Sequence, residues 1–309
     1  MIKTQIIENY LNYGKVISIS NGVIEAFVTV DVGPRIIRFG LVGGQNIMCD
    51  DSSVAEPKND DIFQNYFGKD KIWEILGGHR IWISPEKYPE TYYPDLLPVK
   101  YEITECGAVF TPNAETENGF QKQLEIKMDP DDANMQVVMN VTNISRVTKE
   151  FSVWGVTVSA KDGTLIIPMN DNDTGLLHNR NISVWPYTNL ADCRLHFGNR
   201  YITLRQDPSI NDSFKLGFDL KKENVYYCLG DDVFRKSFPT ESGAKYPDNN
   251  CSFETFTNDG FLEIESLSPL KTVQPGDTLS LTEHWSILKK PCDVEWNNDK
   301  SIDEMIGKL

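Results

Sequence analysis

The chain has 309 residues, 40% of them hydrophobic, and a formal net charge of −15. That is enough apolar matter for a packed core, which excludes a disordered chain. The charge excludes nucleic acid and anionic membrane as expected partners, because both need a basic surface that displaces counterions.

In chain order, MIKTQIIENYLNYGK carries charges and amides where a secretory leader needs an unbroken apolar run, and no later stretch reaches membrane-spanning length. A cytoplasmic protein is expected. Within that opening, TQIIENYLNYG places Ile6, Ile7, Tyr10 and Leu11 at helical spacing ahead of Gly14, which predicts a short helix. GVIEAFVTVDVGPRIIRFGLV then reads as strand. The stretch over 50–100 is rich in charge, proline and tyrosine and predicts long loops laid over a sheet. EFSVWGVTVSA, GTLIIPM, RYITLRQ, NVYYCLG, GFLEIESLS and DTLSLTEHWSIL follow as strands, with DPDD, KDG and QPGD as turns. SIDEMIGKL predicts a closing helix. No repeat, low-complexity segment or Gly/Ser-rich linker interrupts the chain. Residues 1–309 are therefore expected to form one domain, an all-β, large antiparallel β-sandwich with few short helices.

The six cysteines, Cys49, Cys106, Cys193, Cys228, Cys251 and Cys292, form no C-x-x-C pair, so neither a zinc clip nor a disulfide framework is indicated. The four histidines, His79, His178, His196 and His284, form no H-x-H or H-E-x-x-H pattern, and no metal centre is expected. NDNDT (170–174) lacks the glycine and distal glutamate of a calcium loop and reads as a solvated turn. There is no G-x-S-x-G elbow, and GLVGGQN lies between strand-like runs rather than ahead of a helix. Serine hydrolysis and nucleotide chemistry are set aside, and no cofactor is expected.

Period-2 alternation in GFLEIESLSPL sets Leu262 and Ile264 on one face and Glu263 and Glu265 on the other, with attachment points about 6–7 Å apart. Carboxylates so placed raise each other's proton affinity and can share a ligand. The plainer reading, an acidic strand face in water, stays open. In GGHRIWISPE the same alternation sends His79, Ile81 and Ile83 one way and Arg80, Trp82 and Ser84 the other. Elsewhere Trp82, Tyr92, Tyr93, Trp154, Trp185, Tyr187 and Tyr246 are interspersed with Arg35, Arg80, Asn179, Arg180 and Asp248. This mixture suits sugars: flat rings cover the apolar C–H face, while carboxylates, amides and guanidinium groups hold the hydroxyls.

DVGPRIIRFGLVGGQNIM, GGHRIWISPE, the YPD of 93–95, VWGVTVSAKDGTLIIPM, ISVWPYTNLADCR, KYPDNNCSFETFTN and FLEIESLSPLKTVQPGDTLSLTEHW together resemble the galactose mutarotase-like (aldose 1-epimerase-like) proteins, in particular an uncharacterised family within that superfamily. The resemblance implies that superfamily's antiparallel supersandwich. The mutarotase late-strand motif Leu-Glu-Thr-Gln lies over Leu262-Glu263-Ile264-Glu265, which implies Glu263 as base toward the anomeric hydroxyl, with Glu265 in place of a glutamine. It further implies His79 or His178 as proton donor to the ring oxygen, and Arg80 and Asp248 as sugar-binding residues, to which the residue mixture and the carboxylate pair add Trp82, Arg35, Trp185 and Glu265 as binding candidates. For His79 and Arg80 to reach one ligand, the strand needs a bulge at Gly77 and Gly78, glycines that would turn the backbone beneath the sugar. Two departures stand out: the mutarotase sequence around the middle histidine is absent, and the Pro-Asp-Ser after its glutamate is replaced by Ser268-Pro269-Leu270. The expected function is a carbohydrate-binding protein of the aldose 1-epimerase type that takes a mono- or oligosaccharide and works by Glu/His acid–base chemistry. The alternatives are a non-catalytic carbohydrate-binding or sensor protein on the same scaffold and, more remotely, a glycoside hydrolase or lyase.

Overall fold

The computed structural model describes residues 1–51 and 57–309. Two antiparallel sheets form the sandwich. The front sheet runs, in spatial order, Lys3–Ile7, Val16–Ser20, Ile24–Thr29, Ile36–Leu41, Gly78–Ser84, Lys149–Ser159, Leu262–Leu267, Phe253–Thr257, Phe214–Phe218 and Ile182–Val184, with Lys271–Val273 added beside Lys149–Ser159. The back sheet runs Leu195–Phe197, Tyr201–Arg205, Thr164–Pro168, Asn224–Leu229, Asp232–Ser237, Thr278–Lys289, Asn134–Asn143, Phe120–Met128, Gly107–Thr111 and Lys100–Thr104. Among the described residues no helix is long and apolar enough to cross a membrane.

Alternation builds the back sheet directly. In NMQVVMNVTN, Met135, Val137, Met139 and Val141 turn into the core and the residues between them turn out. The middle of the front sheet is different, because all six residues of Leu262–Leu267 are buried. Its outer face is covered by the chain from 57 to 95, which contains the helix Asp61–Phe67. Asp60 caps that helix by accepting from the Phe63 N–H at 2.9 Å, and Phe63 and Phe67 anchor it one turn apart. The stretch expected to be loop alone thus carries a short helix. At the other surface, Asp299–Ile306 forms the expected closing helix and packs Ile302 and Met305 against Ile166, Tyr201 and Tyr226.

The predicted N-terminal helix is replaced by the strand Lys3–Ile7, paired with Val16–Ser20 from Lys3↔Ser20 to Ile7↔Val16. Leu11, which a helix would bury beside Ile7, is 61% exposed and sits at a turn with φ of 49°. Pairing at the open edge of the sheet satisfies a whole row of backbone groups, which outweighs the weak local preference for helix.

Between the sheets, a polar tie is set into the apolar core. Lys236 and Glu283 come from neighbouring back-sheet strands and have no solvent exposure. The Lys236 ammonium lies 3.0 Å from Glu283 Oε1 and donates to Thr157 Oγ1 at 2.9 Å, to the Ile264 carbonyl at 2.9 Å and to the Gly155 carbonyl at 3.2 Å. Glu283 in turn accepts from Ser266 Oγ and, at 2.7 Å, from Trp285 Nε1. Gly155 makes the close approach possible, because a Cβ there would stand 2.4 Å from Glu283 Oε1. Lys236→Met would leave Glu283 buried without its counter-charge and should lower urea-unfolding stability by about 3–5 kcal/mol; a loss below about 1 kcal/mol would contradict this role for the pair.

Candidate functional site

Strand register decides which side chains meet on the outer face of the front sheet. Pairing puts Val158, Glu263, Phe256 and Lys215 in one cross-strand row, and Arg80, Val156, Glu265, Glu254 and Gly217 in the next. Trp82, Trp154 and Leu267 make a third. Charged groups on the first two rows then join diagonally, at a row spacing of about 6–7 Å that long side chains can span. Arg80 Nη2 donates to Glu263 Oε1 at 2.9 Å. Lys215 reaches back to Glu254 Oε2 at 2.9 Å and Glu265 Oε2 at 3.2 Å. From the third row, Trp154 Nε1 donates to Glu265 Oε2 at 3.0 Å.

Both cations also lie against aromatic faces. The Arg80 guanidinium is 4.0 Å from the centre of the Trp82 ring, and the Lys215 ammonium is 4.8 Å from Trp154 and 4.9 Å from Trp185. Burial works against the Lys215 ammonium, but Glu265 and Glu254 outweigh it and hold its pKa well above the ordinary lysine value. One ammonium cannot compensate two buried carboxylates fully. Burial pushes Glu265 up to about 7, with Lys215 opposing and Glu263 adding to the rise. It pushes Glu254 up to about 8, again against Lys215 and reinforced by Glu265. Both carboxylates beneath the site therefore take up protons more readily than exposed ones.

Above these groups lies a cavity of about 130 Å³. Its walls are the rings of Trp73, Trp82, Tyr92, Trp154, Tyr187, Phe256 and Phe261, and its polar groups are Lys58, Arg80, Glu86, Lys215 and Glu263. Trp73, Trp82 and Tyr92 pack mutually edge-on or tilted at 5.0–5.5 Å between ring centres, and Trp82 continues to Trp154 at 5.3 Å. Tyr92 also donates to Glu86. Glu263 is 8% exposed, whereas Glu265 and Glu254 are at 0% and do not line the cavity.

Glu263, Arg80 and Trp82 meet at the cavity, Glu265 lies beneath it, and Trp185 stacks on Lys215 without lining it. The other expected residues do not join them. His79 follows strict alternation to the inner face, where Nδ1 is 2.9 Å from Thr157 Oγ1, Nε2 is 3.3 Å from Met139 Sδ and the ring stands edge-on to Trp285. Burial and then Lys236 hold its pKa well below the histidine norm, so it is neutral. No bulge intervenes: Gly78–Ser84 pairs with Lys149–Ser159 without a break from Val158↔Gly78 to Ser152↔Ser84. Gly77 and Gly78 do turn the chain, at φ of 76° and 63°, but they turn it against backbone, since a Cβ on either would stand 2.2 Å from the Cys49 carbonyl or 2.5 Å from that of Ile36. His178 is exposed on the loop after Thr164–Pro168 and does not line the cavity. Asp248 is exposed in a turn with φ of 50°. Arg35 lines a different cavity.

Trp73, Lys215, Glu254, Phe256 and Phe261 were not among the expected site residues. Lys215 and Glu254 did leave a signal, a charge inside the apolar runs FKLGF and SFETF. Trp73 left none, because its segment reads as loop.

No protein-family model and no curated protein matches the sequence. Solved structures do match in fold. A Synechocystis protein superposes with a TM-score of 0.56 at 13% identity, over 92% of this chain and 95% of that one. A galactose mutarotase-like protein from Clostridium acetobutylicum gives 0.54 at 13% identity, over 94% and 98%. Another galactose mutarotase-like protein, from Lactobacillus casei, gives 0.53 at 11% identity, over 88% and 100%. The likeness is one of fold: the chain carries the galactose mutarotase-like sandwich.

Glu265 and Glu254 hold their protons more tightly folded than unfolded, so their contribution to stability is complete below about pH 4.5 and is lost as pH rises through 7 and 8. Urea unfolding should show wild type losing stability relative to Glu265→Gln between about pH 5 and pH 8.5. A difference between the two that stays constant with pH would contradict the raised proton affinity of Glu265.

Proposed function

We propose that the cavity over Glu263 binds a carbohydrate ring. The observation that carries this reading is a charge-paired carboxylate and guanidinium set among aromatic walls. Such walls take the C–H face of a sugar, and Glu263, Arg80, Glu86 and Lys58 offer acceptors and donors for its hydroxyls. The volume of about 130 Å³ corresponds to roughly four waters at ~30 Å³ each, so the cavity would take one face of a sugar ring rather than enclose it. The galactose mutarotase-like description of two structural neighbours supports the same ligand class.

A second reading, epimerisation at the anomeric carbon, is favoured by the placement of Glu263 and Lys215 in one cross-strand row facing the cavity. Glu263 would take the proton of the C1 hydroxyl while the Lys215 ammonium, kept protonated by Glu265 and Glu254, stabilises the alkoxide formed at the ring oxygen; the ring opens, the aldehyde rotates, the ring closes on the other face and Glu263 returns the proton. No histidine lines this cavity, so the group at the ring oxygen in this reading is an ammonium rather than an imidazole.

Calorimetry with a panel of mono- and oligosaccharides should find a saturable ligand whose binding alters the emission of the cavity indoles. Trp82→Ala should weaken that binding by about 1–3 kcal/mol. Absence of binding by every sugar would sink both readings. With a ligand found, NMR exchange spectroscopy on its anomers separates them: accelerated exchange that disappears in Glu263→Gln supports epimerisation, and binding without acceleration supports a binding protein.

A further inference from the structure

We propose that the cavity around Arg35, which shares the Trp82 wall with the first, is a second binding site, built for the carboxylate of a small hydroxy acid. Gly78–Ser84 pairs with Ile36–Leu41 through Ile36 and His79 alone, so the front sheet opens beyond that point. The chain around Tyr93, Pro94 and Asp95 lies against the opening, where the Gly33 N–H donates to the Asp95 carbonyl at 2.9 Å. Arg35 sits there at 2% exposure.

Its guanidinium is used on one side only. Nη1 donates to Asp95 Oδ2 at 2.7 Å and to the Pro34 carbonyl at 3.0 Å. Nε and Nη2 are buried and have no partner among the described residues. Those two groups form the edge of a guanidinium that grips a carboxylate through parallel hydrogen bonds. Beside them Asp95 Oδ1 is equally buried and has nothing donating to it among the described residues. Unmet donors and an unmet acceptor side by side are costly unless a ligand supplies the complement. A carboxylate with a hydroxyl on the adjacent carbon does so, its oxygens to Arg35 and its O–H to Asp95.

Size and charge narrow the class. The cavity measures about 40 Å³, little more than one water at ~30 Å³ each, which takes an acid group with the rest of a small acid at the open mouth but not a sugar ring. Ile81, Pro94 and Leu97 supply apolar wall, and Leu97 and the exposed Asn113 bring the cavity to the surface. Asp95 balances Arg35 and Glu115 balances Lys122. A monoanion adds one charge, aimed at the free guanidinium edge. A phosphate dianion would carry two toward Asp95 and Glu115.

With ionic strength held constant, sodium glycolate should raise the Tm of the full chain saturably, sodium acetate should do so less, and inorganic phosphate should not. Calorimetry should show glycolate binding about tenfold weaker or worse in Arg35→Lys, which keeps the charge but not the paired N–H groups, and in Asp95→Asn. Glu263→Gln, which alters the other cavity, should leave glycolate affinity unchanged. Far-UV circular dichroism checks that each variant folds; should Arg35→Lys not fold, Asn113→Trp at the mouth must abolish glycolate binding instead. No saturable glycolate binding, phosphate binding better than glycolate, acetate equal to glycolate, or unaltered affinity in the folded Arg35 and Asp95 variants would each overturn the assignment.

Discussion

The buried pair of Lys236 and Glu283 is the constraint on which the front face rests. Two fully desolvated charges hold only where every remaining donor and acceptor is met, and here most of the partners belong to the opposite sheet: Thr157, Gly155, Ile264 and Ser266. The strands so tied, Lys149–Ser159 and Leu262–Leu267, are the two that carry Trp154, Glu263 and Glu265 on their other face. A slip of either strand by one residue would exchange its two faces and break the tie, and in Leu262–Leu267 it would also set Glu263 and Glu265 against the apolar core. The core therefore fixes the register from which the site is built.

The two faces handle charge in different ways. Inside, one ammonium meets one carboxylate, and hydrogen bonds complete both. Outside, Arg80 and Lys215 face Glu263, Glu265 and Glu254, so carboxylates are in excess and the surplus appears as proton affinity in the neutral range. The aromatic rings make this arrangement tenable, because they exclude water from the carboxylates while their faces accept the cations. Glu263, reaching the cavity beside the ring cluster, makes a surface prepared for a ligand with both C–H faces and hydroxyls.

Much of this was legible in the chain. The alternation in GFLEIESLSPL put Glu263 and Glu265 on one face, and the structure keeps them there. The alternation in GGHRIWISPE likewise separated His79 from Arg80, and the proposed bulge that would have reunited them does not exist. There the resemblance to the galactose mutarotase-like proteins pulled His79 toward the site, while alternation separated it from Arg80 without saying which of the two faced the core. Arg35 was grouped with the ligand for its chemistry and Asp248 for the resemblance, and chain-distant residues of suitable chemistry need not share a cavity. Lys3–Ile7 was misread because its apolar spacing also fits a helix, and only its pairing partner distinguishes the two.

The sequence by itself determined the strand-rich class, the two-residue period of each strand and hence which neighbours share a face. Only the tertiary structure decided which of those faces looks into the core and which strands stand side by side. The physical reason is that alternation has a period but no sign: where a central strand is buried on both sides, the contrast that would mark inside from outside is gone. The partners of Glu263, namely Arg80 from 183 residues away in sequence and the walls supplied by Trp73 and Tyr92, come from long-range pairing and loop packing that no local pattern encodes.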